Sequence, residues 1–524
     1  MTKVSQVWLP ILLICFATSA NAQSFRVQCP TGTITHPSNL TNVNSEPTYT
    51  GPTIQAVNSK GFLAPTANVN GAIKCQQISG GDGYATMGDG TQTFMFSFGP
   101  LSGLADIAKG LPGTEFPNVF NTVYPGTLLP GDPDTTGAGF TYNGAVGLTP
   151  DLDAGGALTG HVDPRQIMDI GVMNGNIPAP LMAFDEDDEF FLTLTNVGMI
   201  MRPDLFEQHT VHFHGYPNAS SFYDGVPDAS VAINIGGSFT YYYLAPDAGT
   251  YFWHCHITPP EHLQMGMVGQ LYVRPRQNRV PVGNSLYVGL QQQQTDLRTA
   301  CNPAVDILCS TNLPADSGIL PGQTSATLAA AGIKYAYNDG DGSTAYNVEY
   351  PLQIHGFDPN FHFVGMTFNP EGFVDMKDKY FLLNGRSYPD TVMPGPQEAL
   401  SSDGKKHFSQ PLPSIINIPV GGKALLRIAD LAVTEYATLA SLGIRMHVIG
   451  YNAKLLRDQA GNNTDYYTNS ITLGGGESLD VILDATNTTL YPSGSVFYLY
   501  TPNLDHLSND AENFGGLMTE VHIN

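Results

Sequence analysis

Histidine and cysteine are concentrated in one short stretch of this chain, and their spacing limits how the chain can fold. Six of the 14 histidines lie within 54 residues, between His209 and His262. The stretch contains a H-x-x-H-x-H run that begins at His209, a His-Cys-His tripeptide centred on Cys255, and a H-x-x-x-G-M run that ends at Met267. Alternate residues of a β-strand point to the same face, so the two histidines beside Cys255 point one way and the thiol points the other. The spacing therefore predicts a strand with a separate side-chain cluster on each face.

One of these clusters has the donor set of a mononuclear blue-type copper centre. A thiolate, two imidazoles and a distant thioether form the trigonal site that suits copper cycling between its two oxidation states. Zinc sites do not need the Gly-Met pair that trails the last histidine. The predicted ligands are His209, Cys255, His262 and Met267.

The four remaining histidines of the stretch face away from the thiol. They form two pairs with one residue between the members, which places both members of a pair on one face of a strand. We predict that they bind a second metal site, which the main chain beside the cysteine connects covalently to the first. These residues are His212, His214, His254 and His256.

Composition favours an all-β fold over a helical or disordered one. Only 13% of the residues are charged, whereas the chain contains 56 Gly, 38 Pro, 25 Tyr and 26 Phe. Short apolar runs separated by turn residues are typical of β-sandwiches. The formal charge of −24 argues against nucleic acid as a partner, because phosphates would be repelled. It favours a cationic or neutral electron donor over an anionic one.

The N-terminus has the pattern of a secretory signal. Lys3 precedes an apolar core, and Ala20-Asn21-Ala22 fits a cleavage site. No later stretch is long and apolar enough to span a bilayer. We therefore expect no transmembrane segment and a protein that is secreted, to the periplasm or the extracellular space, after signal cleavage.

The cysteine count agrees with an exported chain that has one cysteine left for a metal. An oxidising compartment favours disulfide bonds. Cys301 and Cys309 close a short loop and are expected to pair, and Cys29 can pair with Cys75. Cys15 would leave with the signal peptide, so Cys255 has no partner, and an odd cysteine in a secreted chain needs an explanation.

Composition and turn signals divide the chain into five segments. They are a signal peptide at 1–22, an irregular N-terminal extension at 23–87, a first sandwich at 88–276, a linker at 277–344, and a second sandwich at 345–524. The predicted strands cover 91–98, 167–173, 190–196, 238–244, 250–253, 269–273, 414–428, 471–483 and 496–500.

The second half repeats the pattern of the first, but without its cysteine. Val496-Phe497-Tyr498 corresponds to Tyr251-Phe252-Trp253, and a Gly-Leu-Met run near the C-terminus corresponds to the Gly-Met that ends the copper stretch. Tyr500-Thr501 stands near where a His-Cys pair would be. We therefore predict duplicated sandwiches, of which only the first binds the blue-type copper.

These motifs resemble those of the multicopper oxidase family, and also those of copper-containing nitrite reductases. The strongest likeness covers residues 165–275. The resemblance implies an all-β chain of two cupredoxin-like Greek-key β-sandwich domains. By match with the family, His209, Cys255, His262 and Met267 form the type 1 copper site. The other four histidines of the stretch would bind a type 2/type 3 copper cluster.

The resemblance also implies an activity, that of an exported copper oxidoreductase. A reductant gives single electrons to the type 1 copper, and these pass to the second site, where dioxygen is the expected acceptor. Small molecules, metal ions and redox proteins all remain open as the reductant. No catalytic residue beyond the metal ligands is predicted.

The histidine count departs from the family pattern. A trinuclear cluster in the family needs eight histidines in four pairs, and this chain shows two pairs. A homo-oligomer could complete the second site across a subunit interface. The second sandwich offers isolated histidines only, each of which favours a structural role: His355, His362, His447 and His506.

Two alternatives follow from that departure. The first is a nitrite reductase-like enzyme, in which His214 and His254 match the contribution of the first domain, and His506 or His447 of a neighbouring chain would complete the site. Against it, those enzymes lack counterparts of His212 and of the histidine after the cysteine. The second alternative is a non-catalytic electron-transfer protein in which only the type 1 site works.

Overall fold

The computed structural model describes residues 29–33, 36, 55–57, 63–65, 71–122, 143–146, 150–162, 165–215, 220–245, 247–279, 333–339, 342–365, 372–400, 406–458 and 461–524. The predicted signal peptide and the predicted Cys301–Cys309 pair lie outside these residues. The fold is all-β, as predicted, with few and short helices. None of the described helices combines the length and the apolar character that crossing a bilayer requires.

The described residues of the first half of the chain form twelve strands. They are β1 (Gln55–Val57), β2 (Leu63–Pro65), β3 (Ile73–Thr86), β4 (Gln92–Pro100), β5 (Pro150–Leu152), β6 (Leu158–Val162), β7 (Met182–Asp185), β8 (Glu189–Gly198), β9 (His212–Phe213), β10 (Ser238–Leu244), β11 (Gly249–His254) and β12 (Val268–Arg274).

Sixteen strands are described in the second half. They are β13 (Lys334–Tyr335), β14 (Ala345–Tyr346), β15 (Val348–Phe357), β16 (Tyr380–Leu383), β17 (Gln397–Leu400), β18 (Lys406–Ser409), β19 (Ile416–Ile418), β20 (Lys423–Asp430), β21 (Ala437–Leu442), β22 (Met446–Tyr451), β23 (Lys454–Leu455), β24 (Tyr466–Thr468), β25 (Ser470–Leu473), β26 (Glu477–Asp484), β27 (Val496–Tyr500) and β28 (Met518–Ile523).

The described α-helices are short and lie in the connections. They are α1 (Leu104–Ile107), α2 (Pro117–Phe120), α3 (Arg165–Gly171), α4 (Pro259–Gln264) and α5 (Pro359–Gly365). Single 3₁₀ turns cover Ser221–Tyr223, Arg276–Arg279, Phe373–Asp375, Asp390–Val392 and Leu504–His506.

Each half forms a cupredoxin-like sandwich of two sheets, and the sheet orders correspond. The first sandwich has the orders β10-β8-β3-β4 and β7-β12-β11-β9. The second contains β26-β20-β15-β16 in one sheet and β19-β28-β27-β21-β25 in the other. In both, the pairs β3/β8 and β15/β20, and likewise β7/β12 and β19/β28, run parallel. Neighbours that are not consecutive in the chain are a feature of Greek-key sandwiches.

Each sandwich buries its own apolar core between its sheets. The first core is rich in aromatic side chains and includes Trp253, together with Cys255 and Met267. The second is mainly aliphatic, from Leu352 to Ile523. The alternating burial of β10, in which every second residue is buried, shows the period of two that made this strand predictable.

The prediction of an irregular extension at 23–87 is wrong for its last part. Residues 73–86 form β3, a 14-residue strand in the interior of the first sandwich. Its run of glycines suggested a turn, but these glycines allow close packing instead. A Cβ on Gly83 would lie 2.5 Å from the carbonyl oxygen of Gly175, and one on Gly80 would lie 2.7 Å from the His209 ring.

A second correction concerns the strand predicted at 167–173, which is helix α3. Ile167 and Ile170 are buried and stand three residues apart, which is helical spacing. The apolar run that continues to Met173 is short enough to fit either type of element. The described chain between β4 and α3 contains α1, α2 and the β5/β6 hairpin.

The structure pairs Cys29 with Cys75 in a disulfide, which ties the start of the described chain to β3. Cys255 is the free cysteine among the described residues, and it is buried. The odd-cysteine argument therefore agrees with the part of the chain that the structure describes.

The two sandwiches meet at a buried polar interface. Arg274 of the first sandwich donates to Glu349 of the second at 2.9 and 2.6 Å, and the buried Arg427 donates to the same carboxylate at 3.0 Å. Thr250 donates to Asp480 at 2.6 Å. Burial alone would raise the pKa of Glu349, but Arg274 and Arg427 lower it to about 2. These contacts hold β11 and β12 against the second sandwich.

Candidate metal centre

The thiol of Cys255 points into the core of the first sandwich. Cys255 follows the last residue of β11, its side chain is fully buried, and it belongs to the aromatic core. The Thr210 amide lies 3.4 Å from its sulfur and can donate to it. The Nδ1 atom of His262 lies 3.2 Å from the same sulfur. The strand therefore delivers the sulfur inward, as its place between two outward histidines predicted.

His209 completes a tight set with the cysteine and His262. One donor atom from each of the three lies within 4.8 Å of the others. The His209 ring is fully buried, yet neither of its nitrogens has a hydrogen-bond partner among the described residues. Buried polar atoms are rarely left without a partner unless an ion or water binds there. The donor set of this first cluster and its unpaired nitrogens fit a bound copper ion.

Main-chain hydrogen bonds fix the place of Met267. The Cys255 amide donates to the Met267 carbonyl at 3.1 Å, and the Met267 amide donates to the His262 carbonyl at 2.9 Å. The methionine is fully buried within the same core as the cysteine. The segment from the cysteine to the methionine thus forms a closed loop that holds three of the four predicted ligands.

The first cluster favours a thiolate, the form that binds metal. Burial raises the pKa of Cys255, but the neighbouring rings of His262 and His209 outweigh this and hold it well below its usual value. Burial lowers the pKa of His262, and the nearby Cys255 and Glu207 reverse this and raise it to about 9. Burial lowers the pKa of His209 and keeps that ring neutral.

The second cluster brings three imidazoles together beside the surface. His212 of β9 lies opposite His254 of β11, and donor atoms of His212, His214 and His254 lie within 4.8 Å of one another. The Nε2 atoms of His214 and His254 are 3.0 Å apart. His256 lies beside this set, with its ring centroid 5.0 Å from that of His212 and 5.5 Å from that of His254.

Hydrogen bonds leave Nε2 as the free ligand atom of two rings in this second cluster. Nδ1 of His254 donates to the Cys255 carbonyl at 2.7 Å, and Nδ1 of His212 donates to the Asp224 carbonyl at 2.6 Å. Such bonds fix the tautomer and orient a metal-binding ring. Burial lowers the pKa of His214 to about 4 and that of His254 to about 3, so both stay neutral, as ligands must.

The sequence analysis did not identify two residues that support the first cluster. The Glu207 carboxylate lies 3.6 Å from Nε2 of His262, the ring nitrogen that faces away from the thiol. Gly80 of β3 leaves the space in which the His209 ring lies. The position of Glu207 two residues before His209 gave no signal, because the contact depends on a helix more than 50 residues away in sequence.

The four isolated histidines of the second sandwich join neither cluster within the described chain. His362 lies between the carbonyl oxygens of Phe94 and Gln264, at 2.6 and 2.9 Å. His447 faces Asp465 at 2.9 Å. His355 and His506 line one cavity of their own sandwich.

Comparisons with known proteins identify the segment that holds both clusters. The multicopper oxidase family model matches residues 159–278. The multicopper oxidase MCE of Talaromyces pinophilus is 35% identical over 112 residues, which are 21% of this chain and 17% of that protein. Laccase 1 of Metarhizium robertsii is 29% identical over 135 residues, which are 25% of this chain and 20% of that protein. The chain thus spans a fifth or less of the length of these relatives.

A solved structure resembles the chain over a greater length. The blue copper oxidase from Nitrosomonas europaea aligns over 86% of this chain and 85% of its own, with 17% identity and a TM-score of 0.46. Copper, the metal in the family's name, agrees with the donor set of the first cluster. The multicopper oxidase family model thus matches the segment, residues 159–278, that contains all eight predicted ligands.

Proposed function

We propose that this protein is an exported multicopper oxidase that takes electrons from a reductant at the first cluster and delivers them to dioxygen at the second. Copper, when bound, supplies the one-electron chemistry that the side chains lack. The observation that carries the proposal is the position of Cys255. Its sulfur belongs to one cluster, while its carbonyl oxygen accepts a hydrogen bond from His254 of the other at 2.7 Å. One residue thus links both sites by a covalent and a hydrogen-bonded path.

In this proposal the first cluster is the entry site for electrons, and the second cluster is their exit site. His209, Cys255, His262 and Met267 hold the entry site in a dry core, which excludes water from the thiolate. His212, His214, His254 and His256 hold the exit site at the surface, where a small acceptor can reach it. The disulfide between Cys29 and Cys75 supports export, because such bonds persist in oxidising compartments.

Carboxylates near His262 favour a positively charged reductant. Glu207 faces the outer nitrogen of His262, and Glu261 precedes His262 in α4. The chain carries a formal charge of −24. A metal ion, a cationic small molecule or a basic patch on a redox protein would be attracted to this edge of the entry site.

The second cluster offers four histidines, fewer than a complete oxygen-reducing site uses. We propose that a homo-oligomer supplies the rest from a neighbouring chain. A nitrite reductase-like activity is the second candidate, favoured by the same low histidine count. His212 and His256 argue for the oxidase, because both rings lie beside His254 of the pair that a single type 2 copper would use.

Copper analysis with optical and spin-resonance spectra tests this proposal. We expect Cys255→Ser to abolish the intense blue absorption and oxygen uptake, since serine provides no thiolate. His447→Gln serves as control, because that histidine pairs with Asp465 away from both clusters. Blue colour that survives in Cys255→Ser would refute the ligand assignment. Three or more coppers per chain with oxygen uptake support the oxidase, and two with nitrite turnover support the reductase.

A further inference from the structure

Helix α4, which carries His262, lies between the first cluster and the second sandwich. His262 is fully buried within the first cluster. The next residue, Leu263, packs against an apolar group that includes Leu431 of the second sandwich. Gln264 ends the helix and is fully buried as well. Three consecutive side chains therefore divide between the predicted ligand set and the neighbouring sandwich.

Both polar atoms of the Gln264 side chain bind the second sandwich. Nε2 donates to Oδ1 of Asp378 at 2.9 Å, and Oε1 accepts from the Asp358 amide at 3.0 Å. The other carboxylate oxygen of Asp378 accepts from Thr434, which holds this acceptor in place within its own sandwich. A buried amide that loses such partners pays the cost of unsatisfied polar atoms. Gln264 therefore attaches α4 to the second sandwich at one defined position.

A buried histidine of the second sandwich reaches the main chain of the same residue. Nε2 of His362, in α5, lies 2.9 Å from the Gln264 carbonyl oxygen, and its Nδ1 lies 2.6 Å from the carbonyl oxygen of Phe94 in β4. The ring is fully buried and stacks on Phe357 with centroids 3.5 Å apart. Burial lowers the pKa of His362 to about 3, so the ring is neutral and donates to one of these oxygens at a time. His362 thus joins α4 to β4.

Strand β4 is itself a wall of the first cluster. Phe96 lies two residues after Phe94, on the same face of the strand, and packs edge-on against the His262 ring with centroids 5.1 Å apart. Phe361 and Met376 of the second sandwich belong to the apolar core that contains the cysteine and methionine of the first cluster. The second sandwich therefore contacts the surroundings of this cluster at three places: its core, α4 and β4.

Helix α4 is too short to hold His262 in place by itself. It has six residues, fewer than two turns, and helices of this length are unstable in isolation. A metal site needs its ligands held within about 0.5 Å of their working positions. The place of His262 therefore depends on what α4 is attached to, and two of those attachments come from the second sandwich.

We propose that Gln264, His362 and Asp378 are positioning residues of the first cluster, through which the second sandwich fixes His262 relative to Cys255. This gives the sandwich without the cysteine a part in electron entry, and it rests on the proposed function of the first cluster. Cu²⁺ prefers a tetragonal arrangement of its ligands, whereas a fixed trigonal set denies it that arrangement. Loss of these attachments should therefore favour the oxidised ion and lower the reduction potential of the site.

The reduction potential of the full-length, copper-loaded protein tests this proposal, measured by redox titration of the blue band. We expect Gln264→Met, which keeps the size of the side chain but removes both of its hydrogen bonds, to lower the potential and to alter the copper hyperfine splitting in spin resonance. Gln270→Met is the matched control. Gln270 is also buried and donates across the interface, to the Arg427 carbonyl at 2.6 Å, but it lies in β12. An unchanged or raised potential in Gln264→Met, or the same fall in both variants, would overturn the proposal.

A variant in the second sandwich tests the attachment from its other side. His362→Phe keeps a ring that can stack on Phe357 and removes both nitrogen contacts, so we expect the potential to fall as in Gln264→Met. His506→Phe is the control, because His506 is likewise buried and stacks on a phenylalanine ring, at 3.8 Å, but pairs with Glu435. Equal effects of the two substitutions would show a general loosening of the second sandwich and would contradict a positioning role for His362.

The metal-free protein separates this inference from the proposed function. We expect Gln264→Met to raise the rate at which Cys255 reacts with a thiol reagent about 10-fold, because α4 opens more often without its hydrogen bonds. Peptide mass spectrometry measures the label on this cysteine, with Gln270→Met again as control. A blue wild-type protein with equal labelling in both variants would overturn this inference alone. A wild-type protein without blue copper, but with the expected difference in labelling, would overturn the proposed function alone.

Discussion

At the scale of single residues, the first cluster depends on the missing side chain of Gly80. Gly80 lies in the interior of β3, where a Cβ would come 2.7 Å from the Cδ2 atom of His209. We expect Gly80→Ala to displace this ring and to weaken copper binding at the first cluster about 10-fold or more, as losses of supporting contacts do. Blue absorption during copper titration measures this. Gly155→Ala is the control, because its Cβ would meet only an Asp153 oxygen at 3.3 Å, and equal losses in both variants would contradict the argument.

The carboxylate beside His262 is a second feature of this scale. Glu207→Gln removes a negative charge 3.6 Å from the outer ring nitrogen and leaves the four predicted ligands in place. We expect KM for a cationic reductant to rise severalfold, and KM for a neutral reductant to change little. Steady-state kinetics with one reductant of each kind measures the difference. Asp204→Asn is the matched control, since that carboxylate is paired with Arg202 at 2.9 Å. Equal changes for both reductants would exclude an electrostatic role for Glu207.

The sequence identified candidate ligands at this scale but not their support. Ligand residue types recur at short spacings around Cys255. Because side chains alternate along a strand, these spacings predict which face of the strand each ligand occupies. Gly80 contacts His209, and Glu207 contacts His262, between elements far apart in the chain. Neither a glycine nor a glutamate predicts such a contact by its residue type. Assignment of the eight ligands to copper stays a prediction that metal analysis will test.

At the scale of elements, prediction succeeded where a short run of apolar and aromatic residues is bounded by turn residues. The strands at 238–244 and 496–500 have the predicted bounds. β3 was missed because its glycines and polar residues leave no continuous apolar run, although it contains Ile73 and Ile78 and is buried on both faces. Helix α3 was missed because seven residues give too few turns for a helical period to stand out.

Helix α4 carries His262 and begins with two prolines. Pro259 and Pro260 occupy the first turn of the helix, where their fixed φ suits helical geometry. We expect Pro260→Ala to lower the free energy of unfolding by about 0.4–1 kcal/mol, because the unfolded chain gains conformational freedom. Copper should also leave the first cluster faster during competition with a chelator. Pro492→Ala, in a turn before β27, is the control; an equally fast copper loss there would mean that α4 has no special part in holding the site.

At the scale of the whole molecule, two sandwiches with corresponding sheet orders use their equivalent loops differently. The loop after β11 holds three of the four predicted ligands, whereas the loop after β27 holds one histidine, His506. The sequence predicted this duplication from short apolar repeats. Thr501, like Cys255, donates its amide to the residue just before the next strand, which agrees with the predicted match of Tyr500-Thr501 to the His-Cys pair. The predicted match of Val496-Phe497-Tyr498 to Tyr251-Phe252-Trp253 is one residue out of register, because register depends on hydrogen bonds between strands. The domain limits at 88–276 and 345–524 remain a proposal, with β3 now added to the first.

The buried interface between the sandwiches should make stability depend on pH. Glu349 has an ordinary pKa near 4.3 in the unfolded chain, and Arg274 and Arg427 hold it at about 2 in the folded protein. Its ionised form therefore stabilises the fold above about pH 4.3, and this stabilisation disappears as the pH falls towards 2. Glu349→Gln leaves two buried cations without their carboxylate and should cost roughly 3 kcal/mol at neutral pH.

Chemical denaturation of both proteins across this range measures the effect. The difference in unfolding free energy should be largest above about pH 4.5 and should shrink at lower pH, since wild-type Glu349 is then protonated in the unfolded chain. Asp247→Asn is the matched control. It breaks the pair with Lys454, which also joins the two sandwiches but is exposed, and should cost less than about 1 kcal/mol. If Glu349→Gln costs no more than Asp247→Asn, the buried ion pairs of Glu349 do not hold the sandwiches together.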